Sequence, residues 1–304
     1  MRKLSKFFNR LFCHDKWVIG VSSMNYSDLI EEGKITTPIN WLEAKFGEYI
    51  ADPFIFKYQQ DYYLFYELFS YIAGDAKIAV TKIVKKNQQW QMQTSQIILD
   101  EPFHQSYPFV FEFEDKIYCI PEQSEGNCVK LFQATEFPYQ WQLKSVLIEG
   151  FPIVDPTIFQ HHGLWWLLAT KANGEQDSHL YAWYADNLEG PWLMHKNNPI
   201  KIGFGETRPA GNPFKIDSGF YRPVQGFKQR YGDSLLIYKI NELSIESFNE
   251  TIALDLAPFK EYPYGLHHIS INSEVAVFDA KRYANLFEIA IKFIGIIIRK
   301  LRKR

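Results

Sequence analysis

The hydrophobic and polar positions of this chain spell one phrase three times. DPFIFKYQQDYYLFYE (Asp52 to Glu67), YPFVFEFEDKIYCIPE (Tyr107 to Glu122) and DPTIFQHHGLWWLLAT (Asp155 to Thr170) align without a gap, with proline second and phenylalanine fifth in each. Each runs through apolar residues in near alternation, pauses at a polar turn and resumes with a second apolar run, the pattern of strand, hairpin, strand. A looser copy, RPAGNPFKIDSGFYRPVQ (Arg208 to Gln225), carries two extra residues. In a fifth, GLHHISINSEVAVFD (Gly265 to Asp279), His267 and His268 replace the proline phrase. Further strand runs such as KIAVTKIV, VKLFQA, HLYAWYAD and SLLIYKINEL fill the intervals. Five units of about fifty residues, each with about four strands, predict an all-β fold, a five-bladed β-propeller, as one domain over residues 16–280. KWVIGVSS (Lys16 to Ser23) is a strand without a unit, and the fifth unit is short. The N-terminal strand should therefore complete the last blade and remove the exposed edges.

The two ends follow a different period. In residues 1–15, Leu4, Phe7, Phe8, Leu11 and Phe12 fall on one helical stripe, with Lys6 and Arg10 off it. In residues 281–304 the run ANLFEIAIKFIGIIIRKLRKR is apolar but interrupted by Glu288 and Lys292. It falls short of the about twenty uninterrupted residues that a membrane span needs. Both ends are expected to form short amphipathic helices that lie on an anionic membrane surface, or, for the second, pack on the protein's own flank or in a dimer seam.

Composition changes this picture little. The chain's 304 residues, 46% hydrophobic and 22% charged, suffice for a full core. Aromatics at 17% suit pleated surfaces and sugar-stacking platforms alike. The formal charge of -2 hides cations gathered at the tips (Arg2, Lys3, Lys6, Arg10; Arg299, Lys300, Arg302, Lys303, Arg304) around an acidic body. That distribution argues against nucleic acid and for peripheral contact with an inner membrane face. Cys13, Cys119 and Cys128 show no metal-ligand spacing, which fits buried thiols in a reducing, cytoplasmic setting. Without a glycine-rich phosphate loop, nucleophile elbow or HExxH, no cofactor and no metal is expected.

Blade geometry predicts where the first residue of each phrase goes. The start of strand one and the end of strand two share one face, so Asp52 should neighbour Glu67, Tyr107 Glu122, Asp155 Thr170, and Arg208 Gln225, all around the mouth of the central channel. A single Asp-Pro is adequately explained as turn chemistry. A ring whose first position changes from Asp to Tyr to Asp to Arg to His, while the strands stay alike, points instead to a polar-ligand site. Of the adjacent histidines, strand alternation lets only one ligate at the mouth, which weakens a metal reading through His267, His268 and Asp155.

The Asp-Pro starts of units one and three resemble the five-bladed propellers of glycoside hydrolase families 43 and 32. That resemblance implies Asp52 as base or nucleophile and Asp155 as pKa modulator, with Glu122 or Glu206 as the acid. KWVIGV, ADPF, SYPFVFEFEDKIYCIPE, VDPTIFQHHGLWWLLAT and GLHHIS together are more specifically similar to the N-terminal propeller domain of glucosamine inositolphosphorylceramide transferases and its free-standing bacterial relatives. Two functions follow as expectations. One is cleavage or transfer of a glycosyl group on a cell-surface glycan or glycolipid precursor, with Glu67, Tyr107, Arg208, Tyr221, Arg222, Gln225, His267 and His268 binding substrate. The other is a non-catalytic glycan or lipid-headgroup module beside a separate glycosyltransferase, in which Arg208, Arg222 and the histidines hold an anionic group.

Overall fold

The computed structural model describes residues 15–228 and 231–302. The expected N-terminal helical stripe, Leu4 to Phe12, lies outside the described residues. Strand β1 (Asp15–Ser23), helix α1 (Tyr26–Glu32) and strand β2 (Asn40–Leu42) come first. Blade I follows with β3 (Glu48–Tyr58), β4 (Asp61–Ser70), β5 (Asp75–Lys86) and β6 (Gln89–Met92), and β7 (Gln96–Leu99) also pairs with β5. Blade II comprises β8 (Ser106–Phe113), β9 (Lys116–Glu122), β10 (Cys128–Glu136) and β11 (Gln140–Glu149). Blade III has β12 (Ile153–His161), β13 (Leu164–Lys171), β14 (His179–Ala185) and two short outer strands, β15 (Leu193–Met194) and β16 (Lys201–Ile202). In blade IV are β17 (Phe214–Ile216), β18 (Gly219–Gly226), β19 (Ser234–Leu243) and β20 (Phe248–Leu256).

The fifth blade starts with β21 (Ile269–Asn272) and β22 (Val275–Tyr283) and takes β1 and β2 as its outer strands. β1 pairs with β22 from Asp15↔Tyr283 to Ser23↔Val275, so the two ends of the propeller are joined by main-chain hydrogen bonds. The protein is a five-bladed β-propeller closed in the way the orphan strand predicts.

The hairpins form where the phrase implies, with the register displaced by one residue at the mouth. Ala51 opposes Glu67, Ser106 opposes Glu122, and Val154 opposes Thr170. Immediately after each of these pairs the inner strand contains one extra residue, a β-bulge, and its first residue turns left-handed: Asp52 at φ 48°, Tyr107 at 46° and Asp155 at 52°. Positive φ is uncommon for any residue but glycine. Repeated in three blades, it redirects the first side chain of each phrase, the usual consequence of a bulge. In blade IV the two extra residues of the phrase leave the inner strand interrupted, with only the Pro209↔Val224 bridge before β17. Gly211 lies there at φ 136°, so close to the neighbouring blade that a β-carbon would sit 1.8 Å from the Ile269 carbonyl oxygen.

Beneath the mouth, Tyr107 ties three blades together. Its hydroxyl is 2.8 Å from Thr157 Oγ1 of blade III and accepts the Gly211 N–H of blade IV, also at 2.8 Å.

A helix that the apolar period did not reveal, α1, begins at Asn25, whose side chain accepts the Asp28 N–H while the Asp28 carboxylate accepts the Asn25 N–H. It ends at Gly33 in the left-handed conformation, as a glycine after a helix commonly does. At the other end α2 (Leu286–Arg302) starts on the same device. Asn285 Oδ1 accepts the Glu288 N–H at 3.0 Å, and Glu288 Oε2 accepts the Asn285 N–H at 2.9 Å. Glu288, an interruption in the apolar pattern, is thus the cap of the helix. It also forms a buried ion pair with Lys16 of β1.

Candidate functional site

All five blades send polar side chains to one end of the axis. Asp52 comes from the bulge of β3 and Glu67 from its partner β4; Glu122 ends β9; Asp155 leaves the bulge of β12; Arg208 and Gln225 come from blade IV, and His267 precedes β21. Asp155 sits at the floor, where Arg208 Nε donates to its Oδ2 and Gln225 Nε2 donates to the same atom at 3.1 Å. The Arg208 guanidinium continues to Glu122, 4.0 Å away, and to Asp177, 3.9 Å away, and lies over the Tyr231 ring at 5.2 Å. Glu122 accepts hydrogen bonds from the hydroxyls of Ser106 (3.2 Å) and Ser124 (3.1 Å). Glu67 meets the Tyr49 hydroxyl at 3.5 Å and His104 Nε2 at 3.7 Å.

A second group holds Asp52. His267 Nε2 lies 3.5 Å from Asp52 Oδ1, and its Nδ1 lies 2.7 Å from Asp279 Oδ2. The imidazole is stacked on Trp17, with centroids 4.0 Å apart. Asp279, on β22, also accepts the main-chain N–H groups of Asp52, His267 and His268, each at 3.1 Å. Asp52, His267 and Asp279 could in principle hold a cation, since one ligand atom from each lies within 4.8 Å of the others. The Asp279 carboxylate, however, already meets about as many N–H groups as it has lone pairs. The arrangement therefore reads as an orienting pair, Asp279 fixing His267, which faces Asp52.

Burial dominates the ionisation of these groups. It pushes Asp52 up to about 7, aided by the negative charges of Asp155 and Asp279 and opposed by His267 and Arg208. Asp155 is raised to a similar level by burial and Glu122, against the pull of Arg208. Glu67 is driven well above the usual carboxyl range by burial and then by Asp52 and Glu122. Burial alone would lower His267, but the Asp279 carboxylate outweighs it and holds the imidazole above its ordinary value. Asp279 is held low despite its burial, chiefly by His267.

The sequence expectations divide into three groups. Asp52, Glu67, Glu122, Asp155, Arg208, Gln225 and His267 meet at the mouth. Tyr107 and His268 require correction: both lie below it, in the axial wall. The Tyr107 hydroxyl is spent between blades, and the His268 ring packs edge-on against Phe54 (4.6 Å) and Tyr107 (5.3 Å). Burial takes His268 down to about 3, so it is neutral. Glu206, Tyr221 and Arg222 also require correction, because Glu206 and Arg222 point into blade IV or its border with blade III and Tyr221 into the border with the fifth blade. Arg222 forms a two-pronged ion pair with Glu250, both bonds 2.7 Å, and donates to the Thr207 carbonyl at 3.1 Å. Glu206 accepts from the Tyr238 hydroxyl at 2.5 Å, beside Lys201 at 3.8 Å. Tyr221 stacks on Phe214.

Sequence reasoning missed Asp279, Tyr231, Trp17 and Tyr49. For Asp279 a signal existed, an acid in the middle of the apolar run VAVFDA. Tyr231 stands in a loop, where no periodicity marks it.

With this geometry in hand, comparison with known proteins is informative. The family described as glucosamine inositolphosphorylceramide transferase 1, N-terminal, matches residues 35–261. Glucosamine inositolphosphorylceramide transferase 1 of Oryza sativa subsp. japonica is 35% identical over 212 residues, covering 67% of this chain and 28% of the rice protein. The protein of the same name from Arabidopsis thaliana is 35% identical over 209 residues, covering 67% of this chain and 27% of its own. The chain thus spans little more than a quarter of the curated relatives it matches. Among solved structures, a family 117 glycoside hydrolase produced by the marine bacterium Zobellia galactanivorans superposes with a TM-score of 0.55 at 14% identity, covering 88% of this chain and 90% of that one. The catalytic domain of the Coprinopsis cinerea GH62 α-L-arabinofuranosidase gives 0.52 at 12% identity, covering 77% and 92%. At such identities these two are similar in fold alone.

Proposed function

Because the chain belongs to the family of the N-terminal domain of glucosamine inositolphosphorylceramide transferase 1, we propose that the polar cluster at the end of its axis takes the sugar of a cell-surface glycan or glycolipid precursor and cleaves or transfers a glycosyl group there. The observation that carries this reading is the convergence of Asp52, Glu67, Glu122 and Asp155 with one guanidinium, Arg208, at one end of the axis. Carboxyls in unlike surroundings are what acid and base roles at a glycosidic bond require. Glu67, held protonated by burial and then by the charges of Asp52 and Glu122, is the donor to the leaving oxygen. Asp52, with His267 and Arg208 favouring its ionised form, is the base or nucleophile. Asp155, anchored by Arg208 and Gln225, supplies negative charge beneath an oxocarbenium-like transition state. Glu122 and Tyr231 are left to bind hydroxyls and a sugar face.

A second reading, a binding module working beside a separate glycosyltransferase, draws on coverage: the matching stretch is 28% of the rice relative, leaving room for transfer chemistry elsewhere in that protein. Its anion-binding form is weakened because Arg222 is committed to Glu250 and Arg208 to Asp155. Product analysis over a panel of glycosides and lipid-linked sugars, with wild type and Asp52→Asn, separates the two. Catalysis requires turnover by wild type that Asp52→Asn loses while still binding the sugar. Binding without turnover of any donor by wild type would leave the module.

A further inference from the structure

Helix α2 is docked with its polar groups inward. Glu288 is buried against Lys16 and reaches Arg282 at 3.4 Å, and Arg299 donates to the carbonyl of Tyr71 at 3.3 Å and to that of Ile72. Gly295 lets the helix approach the loop closely, since a β-carbon there would meet the Tyr71 carbonyl oxygen at 2.4 Å. The outward stripe is apolar: Leu286 (70% exposed), Phe287 (76%), Phe293, Ile294, Ile297 and Leu301 (65%). Helices on globular proteins ordinarily turn such a stripe to the core. Here Ile289 is buried but the stripe named above is turned outward along the helix, and no helix among the described residues is long and apolar enough to cross a membrane.

The position of α2 bears on the axial cluster. β3 begins and β4 ends at the mouth, where the Tyr71 N–H donates to the Gly47 carbonyl at 3.0 Å, and α2 lies over both segments through Ile291 and Gly295. Exposed Phe46 and Ile72 stand in those same segments, extending the apolar surface on the mouth face.

We propose that this face docks on an anionic lipid bilayer, with the α2 stripe, Phe46 and Ile72 entering the headgroup region. Charge selects this occupant over a second copy of the chain. The one acid of α2, Glu288, is turned inward and neutralised by Lys16, whereas Lys300 is exposed and Arg302, Lys303 and Arg304 follow it in sequence. The sequence before β1 is likewise basic, with Arg2, Lys3, Lys6 and Arg10. Two such faces brought together would oppose Lys300 to Lys300, whereas an anionic surface attracts it and a chain with basic ends. On the carbohydrate reading given above, an axial cluster beside the docked face takes a sugar carried by a lipid, but docking itself stands or falls whatever that cluster does.

Co-sedimentation of the full chain with phosphatidylcholine vesicles, with and without phosphatidylserine, tests the proposal. Wild type should pellet with the anionic vesicles and be released by salt. Phe287→Asp and Ile297→Asp, at exposed positions, should each lower binding by about tenfold or more. Lys300→Glu should weaken it on anionic vesicles only, and Tyr139→Asp, on a turn at the opposite end of blade II, should bind like wild type. Absence of wild-type binding to anionic vesicles would overturn the proposal, as would unchanged binding by both aspartate variants. A vesicle-free dimer in sedimentation velocity that both aspartate variants abolish would overturn it in favour of a second copy.

Discussion

Replacing Arg222 by Met removes half of an ion pair sealed inside blade IV. Arg222 and Glu250 are each 2% exposed in their side chains, joined by two bonds of 2.7 Å, with a third guanidinium bond to the Thr207 carbonyl at 3.1 Å. Breaking a buried pair costs about 3–5 kcal/mol, because the charge left behind has lost its solvent and its partner. Lys201 remains 2.9 Å from Glu250 and offsets part of that loss, which places the expected cost near 3 kcal/mol. At about 2–4 °C per kcal/mol for a chain of this size, the midpoint should drop by roughly 6–12 °C. Urea denaturation gives the free energy and a thermal melt the midpoint. The double variant Arg222→Met, Glu250→Leu should recover most of the loss, since an apolar pair of similar volume removes both desolvated charges. Sugar binding by the folded fraction should be unchanged throughout. A variant melting like wild type but failing to retain sugar would refute the reasoning and return Arg222 to the site.

Two further predictions concern the axis. Because burial raises the pKa of Asp52 to about 7, the folded state binds more protons than the unfolded chain between about pH 4 and 7. Its contribution to stability therefore declines as pH rises through that window and levels off above it. Relative to wild type, Asp52→Asn should gain on the order of 2 kcal/mol between pH 5 and pH 8 in urea titrations; a constant difference would contradict the assignment. Tyr107→Phe deletes the hydroxyl shared by Thr157 and Gly211 and leaves a buried N–H unpaired, for a loss of about 1–3 kcal/mol in the same assay. A loss of sugar binding at unchanged stability would show instead that Tyr107 is a ligand.

The part of the molecule legible in sequence is the part set by alternation and turns. The hairpins from Asp52, Tyr107 and Asp155 were legible as far as the bulge, because period-two burial leaves one register open, but nothing in the alternation announced the extra residue that shifts each pairing by one at the mouth. Blade IV was harder, since Gly211 and Asn212 interrupt the inner strand with only the Pro209↔Val224 bridge to mark it. The partners of buried polar side chains were not legible at all. Nothing in YRPVQ shows that Arg222 meets Glu250 on β20 rather than a ligand, or that Asp279 collects N–H groups from Asp52, His267 and His268. The α2 pattern was visible, but Glu288 and Lys292 looked like flaws in an apolar helix. Glu288 is in fact its cap and anchor, which is why the stripe faces outward.

The left-handed residue at the head of each phrase separates scaffold from chemistry. Holding a non-glycine residue there costs about 1–3 kcal/mol, and glycine would serve the bulge more cheaply. The chain instead uses Asp, Tyr and Asp at the same φ within a few degrees. The bulge turns whatever side chain it carries towards the axis, so the three blades share a geometry and differ in what they deliver. In blade II that is a phenol spanning to blades III and IV, a contact that holds the ring of blades together. In blades I and III it is a carboxylate whose ionisation is opposed by burial, and Asp52 lowers the stability of the fold at neutral pH. A scaffold requirement explains the tyrosine. The two aspartates stand there against both backbone strain and desolvation, the combination on which the proposed chemistry rests.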